Sequence, residues 1–280
     1  MFPLLKKSAI RKMMPHRRAD SHKGENGRVL IIGGSLEYYG APILSGLGSL
    51  YSGADLTYLL VPECNFEVSR SYYPDFIVRK YAGFHLNQRA IDEAVHLMEE
   101  VDVVLIGPGL GKDADSLDTI VKIMHKIQKP FVLDADAIPI AAVHENPSII
   151  ITPHHGEMAQ LLDQPLDELP PEEIENLAQE YAKSKKLTIL LKGREDIIVD
   201  KHGESAVNIT GHPGMTVGGS GDVLAGVVAS FIAQGMKPFE ASCAAAFVTG
   251  TAGENLARQK GATFSATDIA LELGYVMARL

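Results

Sequence analysis

The sequence has no tryptophan and only two cysteines, Cys64 and Cys243, in 280 residues. Two thiols with no Cys-x-x-Cys spacing argue against a disulfide framework and against a thiolate metal site. Both sit among apolar or small residues, so free, buried thiols in a reducing compartment are expected. Positive charge is also scarce, with 26 Lys and Arg against 35 Asp and Glu and a formal net charge of −9. That balance argues against a general nucleic-acid binder, which needs a basic field. It leaves room for a mononucleotide ligand, because backbone amides can hold a phosphate inside an acidic protein. No apolar run reaches membrane-spanning length, and the nearest, Val223–Ile232, is too short. A cytoplasmic protein with no membrane or nucleic-acid partner is the expectation.

No internal repeat, low-complexity linker or composition break divides the chain, and residues 1–280 are expected to form a single domain. Residues 1–20 are a basic arm carrying Lys6, Lys7, Arg11, Lys12, Arg17 and Arg18. The arm lacks the apolar core of a signal peptide and contains Asp20, so it reads as a short amphipathic helix and a loop leading into the first strand. Beyond it, short apolar runs alternate with helical periodicity. Val29–Ile32, Leu56–Val61, Val101–Ile106, Phe131–Leu133, Ser148–Ile151 and Thr188–Leu191 read as buried strands. Helices are expected over Ala41–Ser52, Ser116–Ile127, Glu172–Lys185, Gly221–Gln234 and Phe239–Lys260. Such alternation predicts an α/β fold, a mostly parallel sheet covered by helices on both faces. Ile197–Val199 and Val207–Ile209, turned at Lys201–Glu204, read as a hairpin at one edge. Pro165–Pro171 is the expected long loop.

Ligands of open α/β sheets bind beyond the carboxyl ends of the strands, and polar or glycine-rich segments recur at those ends here. The sharpest is Gly218-Gly219-Ser220-Gly221-Asp222. Its glycines permit tight turns that aim consecutive N–H groups at one anion, and the helix opening near Gly221 adds its positive end. Asp222 beside such an anion hole suits a general base facing an attacking hydroxyl; an Asp that merely stabilises its own helix start is the plainer reading. The segment is not a P-loop, since the lysine-bearing pattern is missing. Gly107-Pro108-Gly109-Leu110-Gly111 fails the dinucleotide spacing, and Gly107 and Gly109 read as places where substrate lies against backbone.

Thr152-Pro153-His154-His155-Gly156-Glu157 puts His154 and Glu157 three apart, on one side of a helical turn. His154 suits a substrate contact or a strand-end cap, and His155 is equally open. Glu157 suits magnesium held through waters; with no third protein ligand, zinc fits less well. Lys192-Gly193-Arg194-Glu195-Asp196 suits nucleotide phosphates or ribose, or else a solvated lead-in to the hairpin. His22 and Lys23, just before the first strand, are candidates for the neighbourhood of the site. His16, His85, His96, His125, His144 and His202 read as surface or packing residues.

Taken in order, these motifs resemble a known family. Gly33-Gly34-Ser35 with Gly40-Ala41, the Gly107–Gly111 segment, Asp134-Ala135-Asp136-Ala137, Thr152–Glu157 and Gly211-His212-Pro213-Gly214-Met215 through Asp222 are similar to the ADP/ATP-dependent NAD(P)H-hydrate dehydratases of the ribokinase-like superfamily. The resemblance runs from about Ser21 to the end of the chain. It implies a ribokinase-like three-layer sandwich that dehydrates (6S)-hydrated NADH or NADPH with magnesium and ADP or ATP as co-substrate. The ring hydroxyl would be phosphorylated with help from Asp222, and phosphate eliminated. Ala41, Gly109, His154 and Asp222 would contact the hydrated cofactor. Lys192, Gly193, Arg194, Glu195 and Asp196, with Gly218, Gly219, Ser220 and Gly221, would hold the adenine nucleotide. Glu157 stands where related sugar kinases carry their magnesium-associated acid, although their Asn-x-x-Glu pattern becomes His154-His155-Gly156-Glu157 here. His212 likewise stands where many relatives have Asn. The resemblance also implies a homotetramer and a separate epimerase as functional partner, and the stand-alone architecture favours ADP over ATP. A vitamin-precursor or sugar kinase, and a catalytically idle nucleotide sensor, are the competing readings.

Overall fold

The computed structural model describes residues 2–143 and 148–280; His144 lies outside the described residues. After α1 (Lys7–Met13) the chain alternates strands and helices: β1 (Arg28–Ile32), α2 (Gly40–Tyr51), β2 (Leu56–Pro62), α3 (Phe66–Tyr72) and β3 (Phe76–Tyr81). Then come α4 (Ile91–Glu100), β4 (Val103–Ile106), α5 (Ala114–Lys126), β5 (Phe131–Leu133), β6 (Ile149–Ile151), α6 (His155–Leu162) and α7 (Pro171–Lys185). The chain finishes with β7 (Thr188–Leu191), β8 (Asp196–Val199), β9 (Ser205–Asn208), α8 (Ser220–Ala233), α9 (Pro238–Lys260) and α10 (Ala266–Met277).

Among the described residues nine strands form one sheet in the order β3-β2-β1-β4-β5-β6-β7-β8-β9. Pairings from β3 through β7 are parallel, and β7-β8-β9 is antiparallel, as the hairpin reading expected. Side chains alternate faces along a strand, and two apolar clusters result. One joins Val29, Ile31, Val103 and Leu105 to α2, α8, α9 and α10; the other joins Leu30, Ile32, Val104 and Ile106 to α4, α5 and α7. The three-layer arrangement is therefore present. Both sheet edges are protected from further pairing. On β3 the outward Arg79 and Lys80 are charged and exposed. On β9, Leu5 N–H donates to the Val207 carbonyl and Val207 N–H to the Pro3 carbonyl, so the arm begins as a short added strand before α1.

Strand order reverses between β1 and β4, which leaves a crevice beyond their carboxyl ends. What brings a helix terminus into that crevice is the contact between α2 and α8. A Cβ on Gly48 would lie 2.3 Å from the Val223 carbonyl oxygen, and one on Gly226 would lie 2.0 Å from that of Ser45. The two helices therefore touch backbone to backbone. One correction concerns the thiols. Both are free, but only Cys243 is buried; Cys64 is exposed in the turn after β2, its Sγ near the Asn65 side chain. Its apolar neighbours in sequence face inward while the turn carries it out. Among the described residues no helix is long and apolar enough to cross a membrane.

The close crossing makes a stability prediction. Gly226→Ala should destabilise the protein by about 1–3 kcal/mol, the usual cost of overpacking. Gly40→Ala, where an added Cβ meets nothing within 4 Å, should stay within about 0.5 kcal/mol of the parent. Urea unfolding of the two variants side by side checks this, and equal stability would contradict the backbone contact.

Candidate active site

The carboxyl edge of the sheet collects every polar segment singled out in the sequence. Loops after β1, β4, β5, β6, β7 and β9 end there, and β8, running the other way, begins there with Asp196. Two large cavities open along this edge. The first, about 720 Å³, lies over β1 and β4 and is lined by Ser35, Ala41, Gly109, Gly111, Asp136 and Asp222 among others. Its mouth carries Leu36, Tyr38 and Phe84, all exposed, with Leu36 N–H donating to the Phe84 carbonyl. The second, about 770 Å³, lies over β7, β8 and β9, and its lining includes Lys192, Asp196, Thr210, His212, Ser220 and Gly221.

The first turn of α8 stands between them. Ser220 and Gly221 face one cavity, and Asp222, the next residue, faces the other. Gly219 precedes the helix at φ +93°, a conformation that favours glycine, and an added Cβ would also push on the Leu44 side chain at 2.3 Å. Gly218 has open space around it and carries no such requirement. At Gly221 an added Cβ would sit 3.2 Å from Lys192 Nζ, so the lysine tip would have to give by a few tenths of an ångström.

Charge is concentrated at this junction. Lys192 Nζ donates to Asp134 Oδ1 at 2.9 Å, and Thr152 Oγ1 donates to the same oxygen at 2.7 Å. Burial works against the Lys192 charge, yet Asp134, Glu157 and Asp222 outweigh it and raise the lysine pKa. Burial raises Asp222, with Asp134 and Asp136 adding to the effect and Lys192 opposing it, to about 8. Among the described residues no hydrogen bond engages the Asp222 carboxylate, so it is not consumed in capping α8. Burial likewise raises Glu157 against the pull of Lys192. It raises Asp196 to about 6, although Asn208 Nδ2 and Gly193 N–H both donate to that carboxylate.

His154 and Glu157 form a capping box at the start of α6. Glu157 N–H donates to His154 Nδ1 at 3.2 Å, and His154 N–H donates to Glu157 Oε2 at 2.8 Å. The strand-end cap is thus real, while His154 Nε2 stays on the exposed side, 3.5 Å from Glu157 Oε1. The half-buried His155 packs beside Gly193, where an added Cβ would meet its Nε2 at 3.2 Å. His212 accepts from Gly214 N–H through Nδ1, a task an asparagine oxygen also performs, which explains how the two residues can exchange there.

Of the residues named from sequence, Ala41, Gly109 and Asp222 line the first cavity, and Lys192, Gly193, Arg194, Asp196, Ser220 and Gly221 line the second. His154, Glu157, Glu195, Gly218 and Gly219 lie outside both linings. Gly107 does not offer its backbone to a ligand; a Cβ on it would run into the Asp134 carbonyl, so its role is to let β4 and β5 exits pack. His22 and Lys23 precede β1, beside the Asp55 carboxylate that takes Gly24 and Asn26 N–H groups before β2. They are at the amino ends of the strands, opposite the site. Sequence reading missed Asp134 and Asp136 as individual participants; only the repeated Asp-Ala-Asp-Ala pattern marked them.

Asp222 sets a pH dependence on stability. Its carboxyl holds a proton more tightly folded, near 8, than at its ordinary value of 3.8. Folding therefore loses stability as pH rises between those values, and the full cost applies above the upper one. Asp222→Asn should melt higher than the parent at pH 9, with the gap closing toward pH 5. Calorimetry across that range checks it, and a gap that stayed constant would contradict burial as the cause.

Comparison with known proteins agrees in both sequence and structure. A family model described as NAD(P)H-hydrate dehydratase matches residues 29–274. The chain is 38% identical over 275 residues to an ADP-dependent (S)-NAD(P)H-hydrate dehydratase of Cenarchaeum symbiosum, covering 96% of this chain and 94% of that protein. It is 39% identical over 269 residues to a bifunctional NAD(P)H-hydrate repair enzyme of Pyrobaculum aerophilum, covering 94% of this chain and 53% of the relative. The chain thus spans about half the length of such bifunctional relatives. The crystal structure of an ADP/ATP-dependent NAD(P)H-hydrate dehydratase from Bacillus subtilis, co-crystallised with ATP and Mg2+, superposes with a TM-score of 0.88 at 27% identity, covering 99% of this chain and 98% of that one. The architecture is the ribokinase-like one.

Proposed function

The chain belongs to the NAD(P)H-hydrate dehydratase family, and we propose that it restores (6S)-hydrated NADH or NADPH to the normal cofactor at the expense of ADP or ATP. The observation that carries this reading is the pair of cavities meeting at the first turn of α8, with Ser220 and Gly221 on one side and Asp222 on the other. Such a junction suits phosphoryl transfer, in which the protein mainly positions two substrates and stabilises charge. The cavity with Lys192 takes the nucleotide. The cavity with Ala41, Gly109 and Asp222 takes the hydrated ring.

Asp222 accepts the proton of the ring hydroxyl as its oxygen attacks the terminal phosphorus, and AMP leaves when ADP is the donor. Hydroxide leaves poorly and phosphate well, so the ring nitrogen then expels phosphate and the neighbouring carbon loses a proton. Backbone N–H groups at the start of α8 and the Lys192 ammonium face the transferred group. The donor set also fits magnesium. Glu157 Oε2 is held by His154 N–H, and Oε1, 3.5 Å from His154 Nε2, is the oxygen that would take a water-bridged contact, in keeping with an ion that retains waters and binds substrate phosphates. When bound, the ion neutralises phosphate charge. His154, through Nε2, is assigned to the hydrate, and Gly193 through Asp196 to the nucleotide. A homotetramer and an epimerase partner belong to the same proposal; relatives twice as long and named bifunctional support the second activity.

The test uses purified protein, magnesium, ADP and the S hydrate, with reduced-nicotinamide absorbance and phosphate release followed together. Absorbance should return with equimolar phosphate, and the rate should rise from pH 6 to 9 as Asp222 loses its proton. Asp222→Asn should bind ADP as well as the parent while single-turnover conversion falls at least about 10²-fold. Phosphorylation of a thiazole or pyrimidine alcohol, with no conversion of the hydrate, would point instead to a small-molecule kinase.

A further inference from the structure

The Asp134-Ala135-Asp136 segment sits where the two cavities meet, yet the mechanism above gives it no task. Asp134 is the residue after β5 and is 2% exposed. Its backbone is tied into the sheet, since its N–H donates to the Ile106 carbonyl and its own carbonyl fills the space beside Gly107. One of its carboxylate oxygens receives both Lys192 Nζ and the Thr152 hydroxyl. Two residues on, Asp136 lines the first cavity, and its Oδ2 receives the Gly111 N–H at 2.9 Å. Between them Ala135 has φ +48°, one of three non-glycine residues with positive φ among those described. A left-handed alanine is costly unless its surroundings hold it. Here they do, because the turn sends the Asp136 carboxylate into the first cavity and the buried Asp134 carboxylate back against Lys192, which lines the second.

The geometry points to Asp134 and Asp136 as a pair of positioning residues, one for each substrate. Asp134 holds the Lys192 ammonium on the nucleotide side, and Asp136 holds the glycine loop that forms one wall of the hydrate cavity. This rests on the two-cavity reading of function. Lys192 has Asp134, Glu157 and Asp222 as neighbouring anions. Asp134 takes the lysine through a direct hydrogen bond, supported by Thr152, and so leaves the Asp222 carboxylate unpaired. On the other side, the Gly111 N–H would have no carboxylate partner without Asp136, and Gly109, whose φ is +68°, would lose the anchor two residues away.

The test is a kinetic split. Asp136→Ala should raise the KM for the S hydrate about 10-fold and change the KM for magnesium ADP less than twofold. Asp136→Asn still offers an oxygen to Gly111 N–H and should recover most of that loss. Asp134→Asn keeps the acceptor for Thr152 but not the charge for Lys192; it should raise the KM for magnesium ADP about 10-fold and the hydrate KM less than twofold. Should Asp134→Asn fail to fold, Thr152→Ala, which frees the Asp134 carboxylate to rotate, takes its place with the same expected split. Titration calorimetry with magnesium ADP alone tests the Asp134 arm without any hydrate. Failure of the parent protein to convert the hydrate would therefore sink the functional reading and leave this arm standing or falling by itself. Equal effects on both substrates, no effect on either, or the opposite split would overturn the assignment.

Discussion

The backbone contact between α2 and α8 is the constraint on which the site depends. Two helices can come this close only where neither presents a side chain, and Gly48 and Gly226 supply that gap against Val223 and Ser45. The consequence is positional. The helix that begins at Ser220 is held against the one that begins at Gly40, and Ala41 and Asp222 line the same cavity. The crevice between β1 and β4 is a general property of such sheets. What distinguishes this crevice is the placement of one helix terminus inside it, where the first N–H groups of a helix have no partner within the helix.

Electrostatics at that terminus follow from one cation shared among several carboxylates. Burial alone would drive Asp222 toward the neutral form, and Asp134 and Asp136 push the same way. Lys192 opposes them but gives its direct hydrogen bond to Asp134. The result is a carboxylate whose proton affinity lies near neutrality, the range in which a general base is most effective. An Asp222 paired to Lys192 would be a weaker base. Under the proposed function the buried ion pair would serve the chemistry as much as the fold; buried pairs add little net stability in general.

Much of this was legible in the sequence because these strands run straight into a glycine or a polar residue. Apolar runs stop at Gly33, Gly107, Asp134, Thr152 and Lys192, and those stops mark the carboxyl edge. The edge strand β3 was not legible, since Arg79 and Lys80 break the apolar pattern that buried strands show. The added strand at Pro3–Leu5 was hidden by the basic arm around it. The α6 start is implied by the spacing of His154 and Glu157, but the reciprocal capping bonds depend on the backbone turn between them, which spacing alone does not define. The bond from Lys192 to Asp134 spans 58 residues and depends on β5, β6 and β7 lying side by side. No local pattern announces a contact of that kind. Cys64 is the converse case, a residue with apolar neighbours that the turn after β2 carries into solvent.

The central claim is that the ring hydroxyl oxygen receives the nucleotide's terminal phosphoryl group across the first turn of α8. The most direct measurement is to follow that oxygen. S hydrate carrying 18O at the ring hydroxyl is converted with magnesium and unlabelled ADP in ordinary water, and the released phosphate is weighed by mass spectrometry. Transfer followed by elimination predicts one 18O atom in each phosphate. Phosphate free of the label, with 18O appearing in water instead, would contradict the account.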